Sequence, residues 1–166
     1  MTATPSSAMT GRSEIVEILK SAELFKNFTD TGVQIVATIA HQKQIPEGAP
    51  LFVEEMIGDG LYVIAEGQLR LTAKGPHGEN VDLTYIGPGD SVGEAALLRT
   101  GPRLCTAVAV TPTRVLEISR RDLAMLQRSK PQACLKLMMG VVEILGERMR
   151  VAHQDFRQFL AWKAGL

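Results

Sequence analysis

The sequence predicts a mainly β domain with flanking helices: an antiparallel β-barrel of the double-stranded β-helix or jelly-roll type, with N-terminal helices and a long C-terminal helix. Three observations lead there. Residues 41–119 alternate apolar and polar positions in short runs separated by Gly, Pro and Asp. Helical three- and four-residue spacing brackets that region on both sides. The length, 166 residues with 45% hydrophobic and 22% charged content, suits one globular domain carrying extra helices.

Residues 1–12 are rich in Ser, Thr and Ala and lack the apolar core of a signal peptide, so they are expected to be a disordered lead-in. Ser13 can cap a helix ending near Lys20, in which Ile15, Ile18 and Leu19 share a face. Leu24, Phe25 and Phe28 link it to a second helix after Asp30, where Val33, Val36, Ala37 and Ala40 repeat. Strands are expected at 51–53, 61–65, 68–73, 81–86, 106–110 and 115–118. The glycines between them supply turns, and Gly75-Pro76-His77-Gly78 has the composition of an exposed hairpin tip.

Ser119 can cap the next helix and Pro131 suits the first turn of another. In that last helix Leu135, Met138, Val142, Leu145, Met149, Ala152, Phe156 and Phe159 follow at alternating steps of 3 and 4, a heptad seam. A helix over 131–163 would be about 50 Å long at about 1.5 Å per residue. That exceeds the side of a small barrel, so part of the seam needs another partner; a parallel homodimer supplies one, and a helix folded back or broken near Gly140 or Gly146 is the alternative. The chain therefore divides into the lead-in 1–12, a barrel domain with its helices over 13–130, and a dimerisation or lid helix over 131–166.

Composition excludes several classes. Eighteen basic residues balance eighteen acidic ones, so no overall field draws nucleic acid or an anionic membrane, and any anion site is local. No apolar run approaches the roughly 18 residues that span a bilayer, and a cytoplasmic location is expected. Cys105 and Cys134 have no paired spacing, and His41, His77 and His153 lie in unrelated segments, so neither a metal centre nor an enzyme is expected. Arg120, Arg121, Arg128 and Lys130 read as a solvated face rather than a nucleic-acid site.

The informative stretch is 82–110, DLTYIGPGDSVGEAALLRTGPRLCTAVAV. A strand ends at Gly87-Pro88-Gly89-Asp90, and Gly93-Glu94 open a single helical turn, 95–98, whose amide groups can cradle an anion. Nine residues after Glu94, Arg103 offers a planar fork of donors that matches phosphate oxygens. Beside a phosphate, Glu94 makes sense as an acceptor for a sugar hydroxyl, while small side chains at Ala95 and Ala96 allow close backbone approach. On spacing alone, an ordinary Glu94–Arg103 salt bridge flanking a tight turn explains the pattern as well.

Gly93-Glu94-Ala95-Ala96-Leu97-Leu98 followed by Pro102-Arg103-Leu104-Cys105-Thr106-Ala107 resembles the phosphate-binding cassette of the cyclic-nucleotide-binding family, of which the catabolite activator and the regulatory subunits of protein kinase A are members. The likeness extends to 57–67 and 83–90 and spans about residues 22–150. It implies that Glu94 takes the ribose 2′-hydroxyl, that Arg103 takes a phosphate oxygen, and that amides near Ala96 and Leu104 complete the cradle. It also implies that Leu83, Thr84, Ile86 and Val92 line the base side and that Arg148 or Met149 of the last helix covers the base. Leu83, Ile86 and Val92 would equally be barrel core.

Four positions depart from the family's pattern. Glu55 replaces a common turn glycine, Ala95 replaces a common leucine, and Leu104 stands where Ala, Ser or Thr is frequent. A hydroxyl at that last position accompanies cyclic GMP preference in the family, so its absence favours cyclic AMP. Arg99 adds a cation that either assists the phosphate or faces solvent. The expected function is a cyclic-nucleotide sensor that signals through its C-terminal helix or dimer to an unknown protein effector. The alternative is a degenerate barrel kept for protein interaction. Regulators built on this barrel carry a helix-turn-helix after the long helix, and residues 158–166 are too few for one, so no nucleic-acid partner is expected.

Overall fold

The computed structural model describes residues 5–151. Helix α1 spans Pro5–Ser21 and α2 spans Asp30–Val36, each followed by a single 3-10 turn, at Glu23–Phe25 and Ala37–Ile39. The lead-in is therefore helical from residue 5, and Ser13 lies inside α1 instead of capping it. Pro5 presets the backbone angle of a first helical position, and Val16 and Leu19, both buried, hold the helix on the core. The cap of α2 is Thr29, whose hydroxyl accepts the Gly32 amide at 3.1 Å.

Ten strands follow: β1 His41–Ile45, β2 Pro50–Phe52, β3 Ile57–Gly58, β4 Gly60–Glu66, β5 Leu69–Lys74, β6 Asn80–Ile86, β7 Ser91–Val92, β8 Gly101–Pro102, β9 Thr106–Ala109 and β10 Thr113–Ser119. Helix α3, Ala95–Leu98, lies between β7 and β8, and α4, Arg120–Ser129, and α5, Pro131–Val151, end the described chain. The sheets are antiparallel, in the orders β1-β10-β4-β7 and β2-β9-β5-β6, with β3-β8 as a two-stranded ribbon. They form a jelly-roll-like sandwich and do not close into one barrel. Strands β3, β7 and β8 are two residues long, too short to show alternation, and in β1 only Ile45 is buried, so sequence period alone does not reveal them.

Alternation in β4 explains how the layers stack. Tyr62 and Ile64 enter the core shared by the two sheets, with Phe52, Leu69 and Ala107 opposite. Leu61 and Val63 point the other way and pack, with Leu116 and Ile118 of β10, under the helices. The helical layer is capped as the sequence indicates: Ser119 accepts the Asp122 amide at 3.1 Å, and Pro131 begins α5.

Helix α5 runs unbroken through Gly140 and Gly146. Its buried residues Cys134, Leu137, Gly140 and Val141 repeat at three- and four-residue spacing. A side chain at Gly140 would put its Cβ 3.1 Å from the Leu24 carbonyl oxygen, so this glycine lets α5 lie close on the Glu23–Phe25 turn. The heptad seam occupies the neighbouring face. Leu135, Val142 and Met149 are 56%, 58% and 51% exposed, while Met138 and Leu145 are half-buried against the core. Ala152, Phe156, Phe159 and the expected extension to 163 lie outside the described residues.

Candidate ligand-binding site

Arg103 enters the core from the link between β8 and β9. Its amide donates to the Met56 carbonyl at 2.8 Å, and its carbonyl accepts the Glu55 amide at 2.9 Å. Glu55 takes φ of 70°, so the turn keeps the left-handed conformation of the glycine it replaces. The Arg103 side chain is 6% exposed, and its Nη1 donates to the carbonyls of Gly60 at 2.9 Å and Gly93 at 3.4 Å. The guanidinium carbon lies 4.4 Å from the Phe52 ring centre and 5.5 Å from that of Tyr62, where the ring faces attract a cation.

Two glycines make this seat. A Cβ at Gly58 would fall 2.2 Å from Arg103 Nε, and one at Gly93, where φ is +83°, would fall 2.5 Å from Nη1. Tyr62 donates its hydroxyl to Glu117 at 3.0 Å, and burial, reinforced by that carboxylate, pushes its pKa up to about 12, so it is a neutral phenol here. Among the described residues no carboxylate lies within 4.0 Å of Arg103.

Glu94 is also buried, 3% exposed, and does not pair with Arg103. One oxygen accepts the Ser91 hydroxyl at 2.5 Å; the other accepts Arg148 Nη1 at 2.9 Å. Arg148 Nη2 donates to the Ser91 carbonyl at 2.7 Å, so α5 is tied to the strand end that presents Glu94. The salt bridge open on sequence spacing is thus replaced by one from the last helix.

A cavity of about 260 Å³ lies between these groups. Of the residues expected at a ligand site, Val92, Gly93, Glu94, Ala95, Ala96, Arg103, Leu104 and Arg148 line it. Leu83, Thr84, Ile86 and Met149 do not. The β5–β6 register skips Leu83 at a bulge and leaves it 54% exposed, Ile86 packs into the inter-sheet core, Thr84 is exposed opposite Leu71, and Met149 is half exposed. Of the amides expected in the cradle, that of Ala96 donates to Gly93 O at 3.1 Å, as a residue within a single helical turn does.

Phe52, Leu71, Arg99, Cys105 and Leu145 complete the lining. Phe52 and Tyr62 belong to strands far from the cassette in sequence, and only their aromatic character could have singled them out. Cys105 contributes an apolar wall: burial pushes its thiol pKa up, away from the reactive thiolate. Leu104 stands at the mouth, 80% exposed. Among the described residues no group of three His, Cys, Asp or Glu side chains could hold a metal ion, and no helix is long and apolar enough to cross a membrane.

Residues 42–130 match the family model described as the cyclic nucleotide-binding domain. The chain is 31% identical over 134 residues to the cyclic AMP receptor protein of Thermus thermophilus, covering 81% of this chain and 60% of that protein. It is 28% identical over 144 residues to a CRP-like cAMP-activated global transcriptional regulator of Mycobacterium tuberculosis, covering 87% of this chain and 62% of that one. The crystal structure of a cyclic nucleotide-binding domain from Methylobacillus flagellatus superposes with a TM-score of 0.77 at 25% identity, over 89% of this chain and 83% of that one.

Proposed function

Because the chain belongs to the cyclic nucleotide-binding domain family, we propose that it is a cyclic AMP sensor whose α5 carries the signal. The observation that carries this reading is the buried Arg103 beside a cavity, with no carboxylate of the described residues within 4.0 Å. A buried ion is costly unless it is paired, and the singly charged phosphodiester of a cyclic nucleotide supplies the missing anion. Binding without turnover suits a site whose thiol is held protonated and whose carboxylate is already engaged.

Glu94 supports the ribose assignment, since it lines the cavity and a carboxylate accepts from a hydroxyl. A ligand there would share Glu94 with Arg148, which couples occupancy of the site to the position of α5. Leu104 offers no hydroxyl to a guanine base, which favours adenine. The relatives named above support cyclic AMP as the ligand. Titration with cyclic AMP and with its 2′-deoxy analogue tests the role of Glu94. The analogue is expected to bind about tenfold more weakly, the worth of one hydrogen bond to a charged acceptor; equal affinity contradicts that role.

The exposed seam residues Leu135, Val142 and Met149 support pairing of α5 with that of a second copy in the cytoplasm. Sedimentation velocity at tens of micromolar protein is expected to give twice the chain mass, and a monomer at that concentration contradicts it. The effector that reads this helix is a protein.

A further inference from the structure

We infer that Arg99 is a second cation of the phosphate subsite, so that the site reads the two exocyclic phosphate oxygens with two guanidinium groups. This rests on the cyclic-nucleotide reading above. Among the described residues four ionisable groups of fixed sign line the cavity: Arg99, Arg103, Arg148 and, as the one carboxylate, Glu94. Arg148 is already matched to Glu94 at 2.9 Å. Arg99 and Arg103 are therefore two positive charges facing one cavity with no acid of the described residues within 4.0 Å of either.

The backbone fixes where Arg99 stands. It is the residue that ends α3, with its amide on the Ala95 carbonyl at 3.0 Å, and it turns to extended geometry, φ −151° and ψ 127°, just before β8. The side chain stays exposed, at the rim, whereas that of Arg103 is 6% exposed, at the floor. An exposed guanidinium is only weakly held by a distant charge, but a phosphate in the same small cavity lies well inside the screening length of about 8 Å at physiological salt. One cyclic phosphate carries one negative charge and two exocyclic oxygens. Arg103 spends part of its fork on the Gly60 and Gly93 carbonyls. Its remaining donors serve the phosphate from the floor, and at the rim a second planar guanidinium is suited to the outward oxygen.

The test uses the two cyclic AMP phosphorothioates, in which sulfur replaces one exocyclic oxygen or the other, with the full chain and its Arg99→Gln variant. Wild-type protein is expected to bind one diastereomer at least fivefold more weakly on account of Arg99. Arg99→Gln is expected to weaken cyclic AMP by a similar factor, to erase that part of the discrimination and to flatten the dependence of the association rate on salt. Arg99→Lys should restore the salt dependence but not the discrimination. If wild-type protein binds cyclic AMP and Arg99→Gln matches it in affinity, in diastereomer ratio and in salt dependence, this inference is overturned while the sensor reading stands. If wild-type protein binds neither cyclic AMP nor cyclic GMP, the sensor reading falls and this inference falls with it.

Discussion

Replacing Arg103 with Gln is expected to weaken cyclic AMP binding by at least about 100-fold. Each charge-assisted hydrogen bond is worth roughly 1.5–3 kcal/mol, and the guanidinium can offer a phosphate two of them. The loss should appear in affinity with the chain still folded, because the shorter side chain vacates space beside a cavity without opening the hydrophobic core. The circular dichroism spectrum should match that of the parent. A variant that keeps parental affinity would mean that the anion sits elsewhere, and Arg103 would then be a structural residue stacked on Phe52 and Tyr62.

Gly58→Ala is expected to weaken binding as well, without removing any group that contacts the ligand. Its Cβ would lie 2.2 Å from Arg103 Nε and 2.4 Å from Cζ, distances that no pair of atoms tolerates. The atoms that must give way form the end of a flexible side chain, so Arg103 moves and the backbone need not. Gly58 does not have a positive φ, and Ala can adopt its conformation. The expected result is a folded protein with affinity reduced by more than about tenfold, the cost of rebuilding even one charge-assisted contact in a displaced geometry. Titration of Gly58→Ala beside Arg103→Gln checks this, and parental affinity in Gly58→Ala would show that the Arg103 seat is not needed for binding.

Much of this site is legible in the sequence because it is local. Gly93, Glu94, Ala95, Ala96, Arg103 and Leu104 fall within one short segment, and the turn that joins them fixes their neighbourhood. What depends on distant pairing is not legible. Nothing in the spacing indicates that Phe52 and Tyr62 hold Arg103, because sheet register brings them there. Leu83 lies outside the cavity lining for a related reason: the β5–β6 ladder carries a bulge there, and a one-residue slip is invisible to period-two reading. Arg148, which the resemblance offers with Met149 as a cover for the base, reaches the Glu94 carboxylate from the last helix, a contact that no spacing indicates.

The fold shows the same division. Long strands such as β4, a continuous apolar run buried on both faces, and β10, together with the cap Ser119 and the first-turn Pro131, follow from residue chemistry alone. The two-residue strands and the polar edge strand β1 exist because partners pair with them. The separation of the sheets is likewise a tertiary outcome. The seam of α5 is readable as a pattern, and only the structure divides it into the exposed Leu135, Val142 and Met149 and the half-buried Met138 and Leu145.

The most direct measurement is calorimetric titration of the unmodified chain with cyclic AMP and cyclic GMP at physiological salt. One saturable site per chain, tighter for cyclic AMP and lost in Arg103→Gln, is the expected result. Absence of heat and of any thermal shift with either nucleotide would contradict the sensor reading and leave a protein-interaction module on the same fold.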